Sequence, residues 1–325
     1  MLHAFALAHF RFVLSSEDRL ALHPRNPGNT LRGAFGATFK RLVCPTPNDC
    51  CHTCRMKATC PYGQIFEPSP PLDSDRLSLN QDIPRPFVFR PPTGIETAAR
   101  PGDSLSFDLI LIGKALEYFP YFLVTFRELG GQGIGLGRGR YRIDRVSLLN
   151  EDGHDVAEVY SGRDNLVRPS PLRITYKDCS RQAAERFPTP TRYVAIRFLT
   201  PTLLKADGKI VERPEFHHII KRLRDRVNAL AHFYCDDSLE VDFKSFGERA
   251  EAVRTAGCRI RWEDRDRRSW KTGRAHDMGG FVGEVTYEGD IEEFLPLLIL
   301  GQYTHVGKYA VWGNGQYHIN TVTQP

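Results

Sequence analysis

Five of the eight cysteines in this 325-residue chain fall within 17 residues: Cys44, Cys50, Cys51, Cys54 and Cys60. Thiolates crowded in this way hold metals. Cys44, Cys51, Cys54 and Cys60 read C-x6-C-x2-C-x5-C, and the central pair has the spacing of a tight metal knuckle. Four thiolates complete a tetrahedral zinc site, so structural zinc is the expectation. Cys50 and His52 are alternative ligands, and the same thiolates suit an iron–sulfur cluster. Disulfides fit poorly in the reducing compartment that the rest of the sequence implies. Cys179, Cys235 and Cys258 are isolated and read as small core residues.

Glycines and guanidiniums form the second chemical signal. Residues 130–143 read GGQGIGLGRGRYRI, a spacing that lets backbone amides approach a phosphate. The loop follows a helix and enters a strand, the reverse of the order in a nucleotide-binding fingerprint. Arg138, Arg140 and Arg142 alternate with Tyr141 and Ile143, which predicts three guanidiniums on one strand face. A second loop near the C-terminus carries Gly307, Gly313 and Gly315 with His305, Lys308 and Tyr309.

Charge is concentrated elsewhere too. Arg254, Arg259, Arg261, Arg265, Arg267, Arg268, Lys271 and Arg274 face only Glu263, Asp264 and Asp266; eight minus three gives +5, the net charge of the whole chain. Trp262 and Trp270 lie within this stretch. Guanidiniums interleaved with indoles suit phosphate contact with base stacking, and so RNA binding. The plainer alternative is a solvated basic hairpin.

These groups are positioned by a duplicated plan. Glu117 to Leu123 (EYFPYFL) is echoed by Glu293 to Ile299 (EFLPLLI), and Gly137, Gly139, Tyr141 and Ile143 recur as Gly313, Gly315, Tyr317 and Ile319, each 176 residues on (139 to 315). A repeat of this length fixes architecture before any motif is read. The first half predicts strand 4–14, helix 28–43 capped by Asn29 or Thr30 with Leu31, Phe35, Phe39 and Leu42 inward, strand 105–113, helix 115–130 and strand 140–149. The cysteine-rich insertion spans 44–62. Prolines at 84, 86, 91 and 92 leave an edge strand or a loop there. Residues 164–190 read as a polar connection. The second half predicts strand 192–200, helix 213–235, strands 257–265 and 281–288, helix 291–302 and strand 309–319. Each half is a β-α-β-β-α-β unit, so the fold class is α+β: two tandem ferredoxin-like (RRM-like) domains, 1–175 and 186–325.

Composition excludes little beyond membrane spans and disorder. The chain is 41% hydrophobic and 26% charged, and no apolar run reaches the roughly 18 residues a spanning helix needs. The opening MLHAFALAHFRFVL alternates like a strand, so a cytoplasmic protein with no membrane partner is expected.

Several segments occur in a recognisable order: LRGAFGATFKRLVC, CPYGQIFEPSPP, PFVFRPP, PGDSLSFDLILIG, MGGFVGEVTYEG and HVGKYAVWGNGQYHI. Together they resemble the CRISPR precursor-RNA-processing endoribonucleases, the sixth Cas family of the RAMP superfamily. The resemblance implies CRISPR repeat RNA as the partner, with other Cas effector subunits as further partners. It implies cleavage without a catalytic metal, in which the RNA 2′-hydroxyl attacks the adjacent phosphate to leave a 2′,3′-cyclic phosphate and a 5′-hydroxyl. Relatives often carry histidine in the first helix where this chain has Ala37, which transfers no proton. His23, Arg32, Lys40 and Lys308 are the nearest substitutes. Ala37 equally suits a catalytically inactive guide-RNA-binding subunit. A zinc-stabilised protein adaptor is a third reading, against which the concentrated guanidiniums argue.

Overall fold

The computed structural model describes residues 1–46, 51, 53–70, 83–92, 97–268 and 275–322. The chain divides into two compact units. One comprises Ala6–Ile174 with Phe233–Cys235; the other comprises Met1–Phe5, Thr175–His232 and Asp236–Pro325.

The first unit runs β1 (Ala6–Ser16), α1 (Pro27–Val43), β2 (Phe87–Arg90), β3 (Ser104–Ile112), α2 (Phe119–Gln132), β4 (Tyr141–Leu149) and β5 (Asp155–Ser161). The sheet is antiparallel with order β2-β3-β1-β4-β5, so β1 sits at its centre. Prolines on both sides confine β2 to the sheet edge, where missing amides cost no ladder bonds. Alternation along β1 sends Phe10 and Phe12 to the helix side, where they stack on Phe119 at 4.4 Å and Phe107 at 5.0 Å. Phe35 of α1 stacks on Phe122 of α2 at 4.6 Å and meets Phe89 edge-on at 5.4 Å. Each buried ring contributes about 1.5–3 kcal/mol through burial. Leu31, Phe35 and Phe39 face this core as expected, but Leu42, in the last turn of α1, is exposed. The α1 cap is Asn26, whose side chain accepts from Asn29 N with Pro27 opening the helix, rather than Asn29 or Thr30.

The second unit begins with α3 (Tyr176–Arg186) and continues β6 (Tyr193–Thr202), α4 (Phe216–Tyr234), α5 (Phe243–Glu251), β7 (Arg254–Glu263), β8 (Gly280–Glu288), α6 (Leu295–Thr304) and β9 (Tyr317–Thr321). Its antiparallel order is β7-β8-β6-β9. Phe216, Ile219, Ile220, Leu223, Val227 and Leu230 of α4 are fully buried, as the helical spacing predicts. Both units are ferredoxin-like.

Three expectations need correction. Residues 164–190 are not simply a connection: Thr175 and Asp178 form a capping box that starts α3, which packs on α6 and buries Cys179, Gln182 and Ala183. The strand expected over 309–319 exists only from Tyr317, because Tyr309, Gly313 and Gly315 adopt positive φ and curl the chain before it. Cys258 is not a core residue; it lies half-exposed on β7.

Candidate functional site

The C-terminal glycine loop, residues 305–316, is built by backbone bonds that L-residues with ordinary φ cannot make. Gly307, Gly313 and Gly315 have φ of 83°, 87° and 71°, and His305 and Tyr309 join them at 60° and 63°. At Gly315 an added Cβ would lie 1.8 Å from the Val306 oxygen, so only glycine fits. Val306 N donates to Gly315 O, Gly315 N to Pro201 O, and Lys308 N to Leu203 O, which fastens the loop to the end of β6. His305 is fully buried, its Nδ1 3.0 Å from Asn314 O, and Asn314 Nδ2 donates to Met278 O. His305 therefore braces the loop from inside. The Lys308 side chain faces solvent.

The corresponding N-terminal loop differs in its charges. Arg138 has φ of 51° and belongs to the turn before β4, and Arg140 also precedes the strand, so only Arg142 of the three lies on it. Arg140 pairs bidentately with Asp18, at 2.8 and 3.3 Å, and Arg142 pairs with Glu17 at 3.0 Å. Hydrogen bonds from Arg140 hold the Asp18 carboxyl below its usual range. The three-guanidinium face expected from the sequence is thus one exposed arginine and two exposed ion pairs.

On β7, alternate residues point to opposite faces of an edge strand. Arg259 pairs with Glu284 at 2.6 Å and Arg261 with Glu263 at 2.7 Å, both at the surface. Arg265 is more covered, and burial lowers its pKa against the opposing pull of Glu263. Arg267 and Arg268 lie on a short strand, Asp266–Arg268, paired with Ala275–Asp277. Lys271, Trp270 and Arg274 lie outside the described residues.

Around α1 the cations meet rings. Arg32 lies 4.2 Å over Phe66 and Lys40 lies 6.0 Å from the centre of Tyr62. Gly36 sits between them because Phe66 packs onto the helix there; an added Cβ would lie 2.2 Å from the ring. Ala37 and His23 are exposed, and His23 N donates to Thr30 Oγ1.

Cys44, Cys51, Cys54 and Cys60 are not joined in disulfides. Among the described residues no three His, Cys, Asp or Glu side chains converge to hold a metal. The donor chemistry suits zinc but the thiols do not form a closed site; Cys50 and His52 lie outside the described residues.

One cluster escaped the sequence. On the β1–β3 face opposite the helices, His9 Nε2 lies 2.9 Å from Asp108, which also takes a bidentate pair from Arg11 at 2.8 and 3.1 Å. Burial lowers the His9 pKa, outweighing its bond to Asp108. Burial pushes Asp108 up, but its bonds from His9 and Arg11 prevail and hold it well below the usual carboxylate range. The alternation of β1 marked His9 as a sheet residue, but its partner lies 99 positions away.

No helix among the described residues is long and apolar enough to cross a membrane. Residues 5–172 match a family model described as an N-terminal domain (AF_1859_N), and residues 196–317 match the model for the CRISPR-associated endoribonuclease Cas6. No curated protein matches the sequence. Among solved structures, a Cas6 product complex is 19% identical with TM-score 0.56, covering 98% of this chain and 99% of that one. Thermus thermophilus Cas6 is 17% identical with TM-score 0.55, again covering 98% and 99%. A partial Cas6-RT-Cas1–Cas2 complex is 12% identical with TM-score 0.58, covering 98% of this chain and 47% of that one. At these identities the likeness is one of fold. The family match runs through β6, the second unit's helices α4 to α6 and the glycine loop, so residues 196–317 form a domain of the CRISPR-associated Cas6 endoribonuclease family.

Proposed function

We propose that this chain cuts CRISPR repeat RNA by attack of the RNA's own 2′-hydroxyl on the adjacent phosphate. The observation that carries this reading is the Cas6 family match over residues 196–317, which includes the glycine loop. As the 2′-oxygen bonds to phosphorus, the bond to the leaving 5′-oxygen breaks. The products are a 2′,3′-cyclic phosphate and a 5′-hydroxyl. The 2′-hydroxyl loses a proton and the 5′-oxygen gains one, so the step needs proton carriers and cations but no catalytic metal.

His23 is the exposed imidazole nearest in sequence to α1, and it is the first candidate for proton transfer. Lys308, exposed on the glycine loop, supplies charge for the phosphate. Arg32 and Lys40 are weaker candidates, because stacking on Phe66 and Tyr62 already occupies their cationic faces. Arg138, Arg140, Arg142 and the arginines of residues 254–268 would contact the RNA backbone, with the amides of the loop around Gly307, Gly313 and Gly315. Solved structures of similar fold include a Cas6 product complex and a Cas6-RT-Cas1–Cas2 complex, which supports RNA and other Cas proteins as partners; the reading places this activity in the cytoplasm. A structural zinc on Cys44, Cys51, Cys54 and Cys60 rests on ligand spacing alone. Metal analysis of the purified protein and of a Cys54→Ser variant tests it, with one equivalent expected and loss in the variant.

The second reading is a guide-RNA-binding subunit that does not cut. The exposed Ala37 on α1 favours it, since methyl groups move no protons. Incubation with end-labelled repeat RNA in EDTA, beside a substrate carrying a 2′-deoxy at the cut, separates the two. Cleavage that survives EDTA and stops with the 2′-deoxy supports the nuclease. Tight binding with no cleavage supports the subunit.

A further inference from the structure

The outer edge of the second unit carries a groove that neither the loop nor the arginine count explains. It has a volume of about 640 Å³, and its lining combines apolar Ile210, Cys258, Ile260, Trp262 and Phe281 with charged Glu212, Arg213 and Arg261. Cys258, Ile260 and Trp262 are alternate residues of β7, so strand periodicity aims all three at one face. β7 is the edge strand of its sheet, and among the described residues no strand pairs with it on the outer side.

The floor is rigid. Trp262 is paired in register with Phe281 of β8, and Phe281 is buried against Phe198 in an edge-on contact at 4.9 Å. The groove is open above this floor: Ile210 and Trp262 remain 47% and 36% exposed. A large indole and a branched alkyl group left open beside a built floor form a surface that gains from being covered.

We propose that this groove receives an unpaired nucleobase of the bound RNA, stacked on Trp262. The assignment rests on the RNA-processing reading of the chain and extends it from the phosphate backbone to a base. Charge favours RNA over an apolar peptide. Arg213 and Arg261 line the groove beside Glu212, and Arg254, Arg259 and Arg261, though paired with Glu288, Glu284 and Glu263, keep 77%, 83% and 73% of their side-chain surface exposed, so a phosphate can take the place of these weak surface partners. Paired RNA keeps its base faces hidden and needs only cations. An apolar wall with an exposed indole gains from RNA only when a base is unstacked. The size is ordinary for a small-ligand pocket.

The test uses the full-length protein with two fluorescein-labelled probes, single-stranded oligoadenylate and a blunt RNA duplex, read by anisotropy. Trp262→Ala is expected to weaken oligoadenylate binding about fivefold or more, since stacking of one base carries at least that. Trp262→Phe should keep most of the affinity, and duplex binding should stay within about twofold in both variants. A 4-thiouridine oligonucleotide should cross-link to the peptide containing residues 254–265. If Trp262→Ala binds oligoadenylate like the parent while both bind duplex, the groove is not a base site and the RNA reading stands. If neither probe binds the parent, both fall. If the parent self-associates and Trp262→Ala abolishes this without changing RNA affinity, the groove belongs to a protein contact and the assignment is overturned.

Discussion

Tyr141 and Tyr317 stand 176 residues apart (141 to 317), each at the first position of a strand, and each donates its hydroxyl to a carbonyl of the helix before it: Phe126 O at 2.9 Å and Leu298 O at 2.7 Å. Both rings are buried, and burial pushes both phenols well above their ordinary pKa. The strand thus leaves the glycine loop under a hydrogen-bonded lock in each unit. The lock has moved by about one helical turn between copies, from a separation of 15 residues to one of 19.

Tyr141→Phe and Tyr317→Phe remove one buried bond each and keep the ring. Each should cost about 0.5–1.5 kcal/mol in urea unfolding, with a larger loss where the helix carbonyl is left without a partner. Stability unchanged from the parent in both variants would mean that ring packing alone orients the strand.

The glycines of the two loops should differ sharply in tolerance. Gly137 has φ of 84° but nothing within 4 Å of an added Cβ, whereas Gly315 has φ of 71° and the Val306 oxygen at 1.8 Å. Gly137→Ala should therefore cost only the strain of the left-handed conformation, about 1–2 kcal/mol. Gly315→Ala adds a backbone clash, so the loop must move off Val306 and Pro201. Its RNA affinity should fall more than its stability, measured as binding against melting temperature. Equal effects from the two substitutions would contradict this ranking.

Asp18 restrains the N-terminal loop electrostatically. With Arg140 bidentate on Asp18, that guanidinium is already neutralised before RNA arrives. Asp18→Asn should release it and tighten RNA binding at low salt. It should also steepen the slope of log K against log salt by about 0.7–0.9 if Arg140 gains one phosphate. An unchanged slope would place Arg140 off the RNA path.

The duplicated elements were readable because the repeat preserves their boundaries. Ser104 and Gly280, Phe119 and Leu295, and Tyr141 and Tyr317 open corresponding strands and helices, each pair 176 residues apart (104 to 280). The helix Tyr176–Arg186 is hidden in the sequence because its polar composition masks the Thr175–Asp178 capping box. The same holds for Phe243–Glu251, which Asp242 caps through Ser245 N. The cations of the candidate site were legible as a count but not as free charges. Arg140 finds Asp18 at a separation of 122 residues, and Arg259 finds Glu284 at 25, pairings that only the sheet order creates. Local spacing carries no trace of them.

The His9–Asp108 pair should make the first unit sensitive to mild acid. Burial keeps the folded His9 pKa below its unfolded value of 6.5, so the unfolded chain takes up a proton that the folded chain refuses. The stability from neutral His9 is fully present above that value and is lost as pH falls from it toward the folded pKa. Asp108 acts in a lower window. Its folded pKa is depressed from 3.8, so its contribution is present above that value and lost only as pH falls further. A drop in melting temperature between about pH 7.5 and 5.5 should therefore belong to His9 rather than to Asp108. His9→Gln keeps an amide donor for Asp108 and removes the titration, so it should flatten that drop while leaving the loss below about pH 4 in place. If His9→Gln melts with the parent's pH profile, the acid sensitivity lies in other histidines and the pair only holds β1 to β3.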